Sequence, residues 1–471
     1  MLEINRKMKN PVDEKIIENV LNEVYKEPDL SWFNKGKFVP KSLGDFIMNR
    51  YIFKTIPNTR KDIIYVYDNG VYRNNGEAII RKDANALLDK NTSTHYINEV
   101  VNYVACSTYI FPEQINQDPY LINLKNGFYN LREKRLIPHT PEIFSVTQIP
   151  VEYDPKADCP LIKKFVSEIV EPKNVAVLQE LVGYCLWKDY HIQKAFMFIG
   201  EGKNGKSTFI KLLYSFLGSE NVSSVALQEL EQSFAKASLY GKMANLYPDI
   251  SNKALTQTGT FKALTGGDSI SAEFKFKDRF NFINFAKLIF SCNKIPETRD
   301  FTTAFFRRWI IINFPYKFEG RNDDKFLINK LTTREELSGM FNWALEGLER
   351  LLKNNEFTNT KSDEEMEIRY KKLSSSVAGF LMDCCEIDTE SALRKDELYL
   401  AYCNYCREMQ LIADSKETFY RKLPIYAEHI KYVHGTIAGQ KVHLVKGLKL
   451  KEYELQRVSE NKNMNIEKYL Y

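Results

Sequence analysis

Apolar and polar positions change period several times along the chain. Through about residue 45, charged residues interrupt apolar ones in a way that predicts helices. "DIIYVYDNGVYRNNG" (62–76) then alternates around Asn69-Gly70, the pair most tolerant of positive φ, which predicts a hairpin. Helical segments run on to about Ser107. "YLINLKNGFYNLREKRLIPHTPE" (120–142) reads as short strands around Asn126-Gly127 and Pro138, and "DPKADCP" (154–160) marks a boundary. Residues 161–190 carry an apolar helical period, and "AFMFIG" (195–200) reads as a buried strand. Past residue 350, "KNNEFTNTKSDEE" has no apolar period and reads as a linker. "DELYLAYCNYCREM" (396–409) places Leu398, Ala401, Tyr402, Tyr405 and Cys406 on one helical face. A second helix, "KETFYRKL", and a hairpin turning near Gly439 follow, an order that suggests a winged helix-turn-helix.

These patterns predict an α/β core with an α+β domain before it and a winged helix-turn-helix after it. The expected division is 1–150 for the N-terminal domain, 151–194 for a helical segment and 195–353 for the α/β core. A linker at 354–370, a winged-helix domain at 371–455 and a tail at 456–471 complete it. At 471 residues and 44% hydrophobic, the chain has the composition of a soluble multidomain protein. No apolar run approaches the roughly 18 residues of a membrane span, and the charged start "MLEINRKMKNPVDEK" lacks a signal core. A cytoplasmic protein without a membrane partner is expected. Eight cysteines form no regular framework, and Cys403-x-x-Cys406 lacks the second ligand pair of a zinc site, so both read as core thiols. A net charge of +5 is only mildly basic, but residues 415–451 hold eight Lys/Arg against two Glu.

The chemistry begins at "IGEGKNGKSTFI" (199–210). The run from Gly200 to Ser207 fits G-x-x-x-x-G-K-[ST], with a strand before it and a helix after it. Its glycines let backbone N–H groups turn onto phosphates, where a helix N-terminus adds its dipole. Lys206 is placed to reach the β- and γ-phosphates, and the Ser207 hydroxyl to ligate Mg²⁺. Such a site needs a further acid for the metal and a polar group for the attacking water. "GKMANLYPD" ends a short apolar strand at Asp249, and "KLIFSCNKIP" ends another at Asn293. "FFRRWIIINF" sets Arg307 and Arg308 just before a third. Taken singly, these are a turn residue, a cap and surface charges; their order and spacing make them a set.

That ordered set resembles the superfamily 3 helicases. More narrowly it is similar to the phage/plasmid primase–helicases related to the poxvirus enzyme, among them replication initiators of staphylococcal pathogenicity islands. The resemblance extends over "INLKNGFYNL", "VEYDPKADCP", "FKALTGGDSISAEFKFK", "EELSGMFNWALEGLERLL" and "KDELYLAYCNYC". It implies a hexameric AAA+-type ring that uses ATP and Mg²⁺ to unwind DNA, moving 3′→5′ on single strands of forked DNA, and that acts at a duplex origin. Gly200, Gly202, Asn204, Gly205, Lys206, Ser207 and Thr208 would bind the nucleotide. Ser207 and Asp249 would hold the metal, with Asn293 as sensor. Arg308, or Arg307 in its place, would be the finger that reaches a neighbouring subunit's ATP. Pro248 departs from the family pattern, in which a second acid often stands there, and leaves the catalytic base open. In the family a hairpin between the acid and the Asn enters the ring channel. Here "SISAEFKFKDRFNFINF", with a turn at 277–279, offers Lys275, Lys277 and Arg279 for phosphates. Lys416, Arg421 and Lys422, near the second C-terminal helix, would face duplex DNA. "STH" at 93–95 has no D-x-D nearby, so primer synthesis is not expected. The rival readings are a packaging or remodelling motor, and a nucleotide-switched origin-binding protein with little turnover.

Overall fold

A computed structural model describes residues 32–57, 62–111, 114–115, 118–275, 279–319, 324–437 and 440–451. The chain divides into two compact units, one of residues 1–117 with 140–146, the other of 118–139 with 147–471. The first unit therefore closes earlier than the boundary at 150 read from the sequence, and 118–139 belong with the P-loop region.

In the first unit, β1 (Phe33–Asn34) and β2 (Lys37–Phe38) pair around Lys35-Gly36, both at positive φ. A hairpin thus replaces the expected helix here, because two successive left-handed residues make a turn. Helix α1 (Pro40–Arg50) leads to the antiparallel sheet β3 (Phe53–Ile56), β4 (Ile63–Asp68) and β5 (Val71–Arg73). Asn69 and Gly70, at φ 46° and 88°, form the predicted two-residue turn. Helices α2 (Gly76–Leu88) and α3 (Thr94–Ser107) complete a core of Leu43, Ile47, Ile80, Val100 and Val104. Ser93 caps α3 and His95 faces Glu99, so "STH" is a helix start.

The second unit opens with the meander β6 (Leu121–Leu124), β7 (Gly127–Asn130) and β8 (Arg135–Ile137). Helices α4 (Pro160–Ile169) and α5 (Pro172–Leu186) precede a five-stranded parallel sheet. Its strands are β9 (Ala195–Ile199), β10 (Val222–Ser223), β11 (Ala244–Tyr247), β14 (Lys287–Cys292) and β15 (Trp309–Asn313), in the order β10-β11-β14-β9-β15. Strand β9 is apolar throughout because both its faces are covered. Phe196 and Phe198 enter one core, with α6 (Lys206–Leu217), α5 and the long helix α8 (Arg334–Asn354). Ala195 and Met197 enter the other, with Phe261 and Leu264 of α7 (Gly259–Gly266) and Trp309. Between β11 and β14 stands a separate antiparallel hairpin, β12 (Ser269–Glu273) and β13 (Arg279–Ile283).

Lys287, fully buried at the start of β14, donates to the carbonyls of Trp187 (2.6 Å), Phe285 (2.7 Å) and Asp189 (2.8 Å). Burial pushes this ammonium down to about 7, whereas three acceptors call for the three N–H donors that only the charged form supplies.

The expected linker is ordered. Glu180, fully buried in α5, accepts from Arg350 Nε (2.6 Å) and from the Thr358 backbone N–H (2.8 Å) and hydroxyl (2.5 Å), tying 355–360 to the helices. Helix α9 (Asp363–Ser374) follows, started by a capping box from Ser362 and Glu365, and it buries Met366 and Tyr370 in the P-loop core. Helix α10 (Ser376–Cys384), β16 (Cys385–Arg394), α11 (Lys395–Glu408), α12 (Lys416–Tyr426), β17 (Lys431–Ile437) and β18 (Gln440–Leu450) build the C-terminal segment. The predicted hairpin is there, with Ile437 opposite Gln440; Gly439 lies outside the described residues. A third strand, β16, joins it in the order β16-β18-β17. Cys406 is buried with Leu398, Tyr402 and Phe419 as core. Among the described residues no helix is long and apolar enough to cross a membrane.

Candidate nucleotide site

Parallel pairing brings Ile199 level with Cys292 on one side and Asn313 on the other. The residues that follow β9, β14 and β11 therefore emerge together at the carboxyl edge of the sheet, where α/β folds place ligands. Beyond Tyr247, the Ile250 backbone N–H donates to the Ser291 carbonyl (2.8 Å), which carries Asp249 alongside Asn293. A cleft of about 240 Å³ is lined by Gly202–Thr208, Pro248, Asp249, Ser291 and Asn293. The structure thus brings together P-loop, acid and sensor candidates that are widely separated in the sequence.

The loop geometry follows from its small residues. A Cβ on Gly200 would stand 2.0 Å from Asn204 Nδ2 and 2.7 Å from the Phe314 carbonyl. Asn204, nearly buried, donates from Nδ2 to that carbonyl (3.2 Å) and so fastens the loop to the chain after β15. Gly205, at φ +85°, is the N-cap of α6 and supplies no capping side chain; the Lys206 N–H donates to Asn204 Oδ1 (3.5 Å), while among the described residues the Ser207 and Thr208 N–H groups have no side-chain partner. Lys206 opens α6, and its Nζ donates to the Gly200 carbonyl and to Asn204 Oδ1 (3.2 Å). Burial lowers the Lys206 pKa, and the nearby Cys292 and Asp249 oppose the shift. A desolvated cation above free amides is a strong anion site. Ser207 and Asp249 are exposed in the same cleft, a pair of hard oxygen donors that suits Mg²⁺ with water filling the remaining positions.

Sequence reasoning missed Ser291. Its hydroxyl lines the cleft, is buried, and has no hydrogen-bond partner among the described residues. Inside an apolar strand a lone serine carries no pattern signal. Asp249 is the sole carboxylate among the described residues lining the cleft.

Arg307 and Arg308 lie elsewhere. Trp309 pairs with Ala195, so both arginines sit at the amino edge of the sheet, about 13 Å of strand away from the loop. Arg308, 7% exposed, donates from Nε to Thr265 Oγ1 (2.8 Å) and from Nη1 to the Ala304 carbonyl. Arg307, more exposed, donates to Gln193 Oε1 (2.7 Å).

Of the basic candidates, Lys277 lies outside the described residues, while Lys275 follows β12. Arg279 is exposed on β13 and lies 3.4 Å from Glu273. Phe274 stacks on Phe280 (5.0 Å), and Tyr240 meets Phe280 and Phe282 edge-on, fixing the base of the hairpin. On α12, Lys416 pairs with Asp396 (2.5 Å) and Lys422 with Glu297 (2.7 Å) and Asp414 (2.9 Å), so both charges are already matched. Arg421 is exposed. The β17–β18 ribbon instead presents Lys431, Lys441 and Lys446 to solvent, with no ion pair among the described residues.

A five-stranded parallel sheet with this loop and helix at its carboxyl edge defines a P-loop nucleotide-binding α/β core. Residues 44–171 match the family model described as "D5 N terminal like", and 198–308 match one described as "Family of unknown function (DUF5906)". These two segments lie in tandem, and in both the chain is similar to the D5-like primase–helicases that its sequence resembles. It is 21% identical over 335 residues to "Putative helicase 121R" of Invertebrate iridescent virus 3, covering 63% of this chain and 36% of the relative. It is 25% identical over 221 residues to "Putative helicase L207/L206" of Acanthamoeba polyphaga mimivirus, covering 44% and 23%. The chain thus spans about a third or less of the length of these relatives. Among solved structures, the apo A form of the NrS-1 C-terminal region is similar, with a TM-score of 0.47 and 11% identity over 87% of this chain and 99% of that one.

Proposed function

We propose that the chain is an ATP-dependent replicative DNA helicase, and the replication initiator of a mobile genetic element. The observation that carries this reading is the single cleft shared by Lys206, Ser207, Asp249 and Asn293. ATP binds with its phosphates on the amides of Gly202–Thr208 and the Lys206 ammonium. Ser207 and Asp249 hold Mg²⁺, which neutralises charge building on the phosphates. Asn293, beside Asp249, orients the attacking water. The names of the viral relatives and the D5 N-terminal-like match support the helicase reading.

The arginines at the far edge of the sheet cannot serve the nucleotide of their own subunit. Their place supports a homo-oligomer, a ring of six by the family's pattern, in which Arg308 or Arg307 completes the neighbour's site. The β12–β13 hairpin with Lys275, Lys277 and Arg279 would then track one strand, 3′→5′. The three helices and three strands described between Ser376 and Leu450 make a winged-helix module that docks on origin duplex through Arg421 and the wing lysines. The motor is assigned to 195–353.

The test is ATP hydrolysis with Mg²⁺, with and without single-stranded DNA, across protein concentrations. Turnover that rises with concentration, is stimulated by DNA and is lost in Arg308→Ala is expected. Binding without turnover at any concentration would favour the nucleotide-switched origin binder, which the lone carboxylate in the cleft keeps open.

A further inference from the structure

Asn293 opens a loop that runs to Thr302, and this loop is gripped from two sides. On the motor side, Asp300 accepts from Lys262 Nζ (2.7 Å), the Thr258 hydroxyl and the Thr302 backbone N–H (2.9 Å). The Leu255 backbone N–H donates to the Glu297 carbonyl (2.7 Å). Thr258 is the N-cap residue of α7 and Lys262 lies in its first turn, and this helix leads into the β12–β13 hairpin. On the other side, the Glu297 carboxylate accepts from Lys422 Nζ of α12 at 2.7 Å. The Tyr370 hydroxyl of α9 donates to the Pro296 carbonyl (3.0 Å). The Phe301 ring meets Tyr426 of α12 edge-on at 6.2 Å.

The ion pair is built for this place. Lys422 and Glu297 keep only 18% and 24% of their side-chain exposure. Asp414, 2.9 Å from the same ammonium, means that loss of Glu297 would not strand the lysine. Between β14 and the short helix at Thr303 the loop has no regular structure beyond one isolated bridge, Leu255 to Thr298, and it is anchored in the core by Ile295. Past Ile295 its course is set by the contacts above.

We infer that Glu297, Lys422 and Tyr370 are positioning residues for the nucleotide site: the C-terminal module, docked on the loop through Lys422, and α9, through Tyr370, together hold Asn293 in register with the cleft, so that ATP turnover depends on both contacts. This rests on the ATPase reading above. The same loop reaches α7 through Asp300, so the nucleotide cleft, the root of the hairpin and the C-terminal module meet on one ten-residue segment.

The experiment uses the full chain with Glu297→Ala, which removes the cross-contact and leaves Lys422 paired to Asp414, and Tyr370→Phe, which removes one hydroxyl. Steady-state ATP hydrolysis should show kcat reduced by roughly three- to thirty-fold in Glu297→Ala, with KM within about twofold of wild type, since neither residue touches nucleotide. Tyr370→Phe should fall in the same direction by less. Hydrogen exchange should quicken at 293–302 in both, while the amides of α6 keep their protection. Wild-type kcat in both variants, with exchange at 293–302 either unchanged or quickened, would overturn the inference. If the wild-type chain itself does not hydrolyse ATP, the ATPase reading fails first and this inference falls with it.

Discussion

Gly205→Ala should unfold the nucleotide loop from within, and the two ends of the same motif allow a matched comparison. Gly205 sits at φ +85°, and a Cβ there would stand 2.5 Å from Ile169 Cγ2 and 3.2 Å from Ile169 Cβ. A left-handed backbone costs a non-glycine residue roughly 1–2 kcal/mol. Ile169 is fully buried in α4 and the contact reaches its Cβ as well as its Cγ2, so the overlap adds roughly 1–3 kcal/mol. The sum is about 2–5 kcal/mol, a large share of the net stability of a folded unit. Gly202 is exposed, has no positive φ, and has no atom within 4 Å of its would-be Cβ. Gly202→Ala should therefore stay within about 0.5 kcal/mol of wild type. Urea unfolding followed by tryptophan fluorescence measures both, and Gly205→Ala should melt several degrees lower. Equal midpoints for the two variants, or the larger loss at Gly202, would refute the reasoning.

Lys287→Met leaves three buried carbonyls without a donor and should cost about 2–4 kcal/mol by the same assay, although it also removes a desolvated charge. Burial raises the pKa of Asp300, but the bonds from Lys262, Thr258 and Thr302 outweigh it and hold the carboxyl well below the usual range. Its contribution is complete above the unfolded pKa of about 4 and is lost as pH falls through the folded value. Asp300→Asn should therefore be less stable than wild type near neutral pH, with the gap in urea midpoint closing below about pH 4. Lys431 and Lys446 are directly opposed across β17 and β18, an arrangement that costs stability unless phosphates lie against it. Lys431→Gln with Lys446→Gln should stabilise the chain slightly while lowering the salt slope of duplex DNA binding by about 2.

The nucleotide site was legible because each part is local. The loop announces itself through glycines and one lysine, and Asp249 and Asn293 through their place just past an apolar strand. The parallel sheet that joins them was implied by those buried strands. Missing from that reading were partners supplied from far away. Tyr129, in the meander, stacks edge-on with Tyr153 and Phe341, which is why 118–139 leave the N-terminal unit. Strand β16 is half polar and finds its register only against β18. Helix α9 did carry a signature, Ser362-x-x-Glu365, but only the fold shows Met366, Tyr370 and Leu373 tying it to the P-loop core. Lys422 looked like a DNA contact on charge alone, and only the fold revealed Glu297 and Asp414 beside it.

Strand separation of forked DNA tests the central claim most directly. Two forks, one with a 3′ single-stranded tail and one with a 5′ tail, would each be incubated with the chain, ATP and Mg²⁺, with Lys206→Ala in parallel. The account predicts ATP-dependent unwinding from the 3′ tail alone, abolished in Lys206→Ala. Steady ATP hydrolysis with neither fork unwound would contradict it and point to a packaging or remodelling motor.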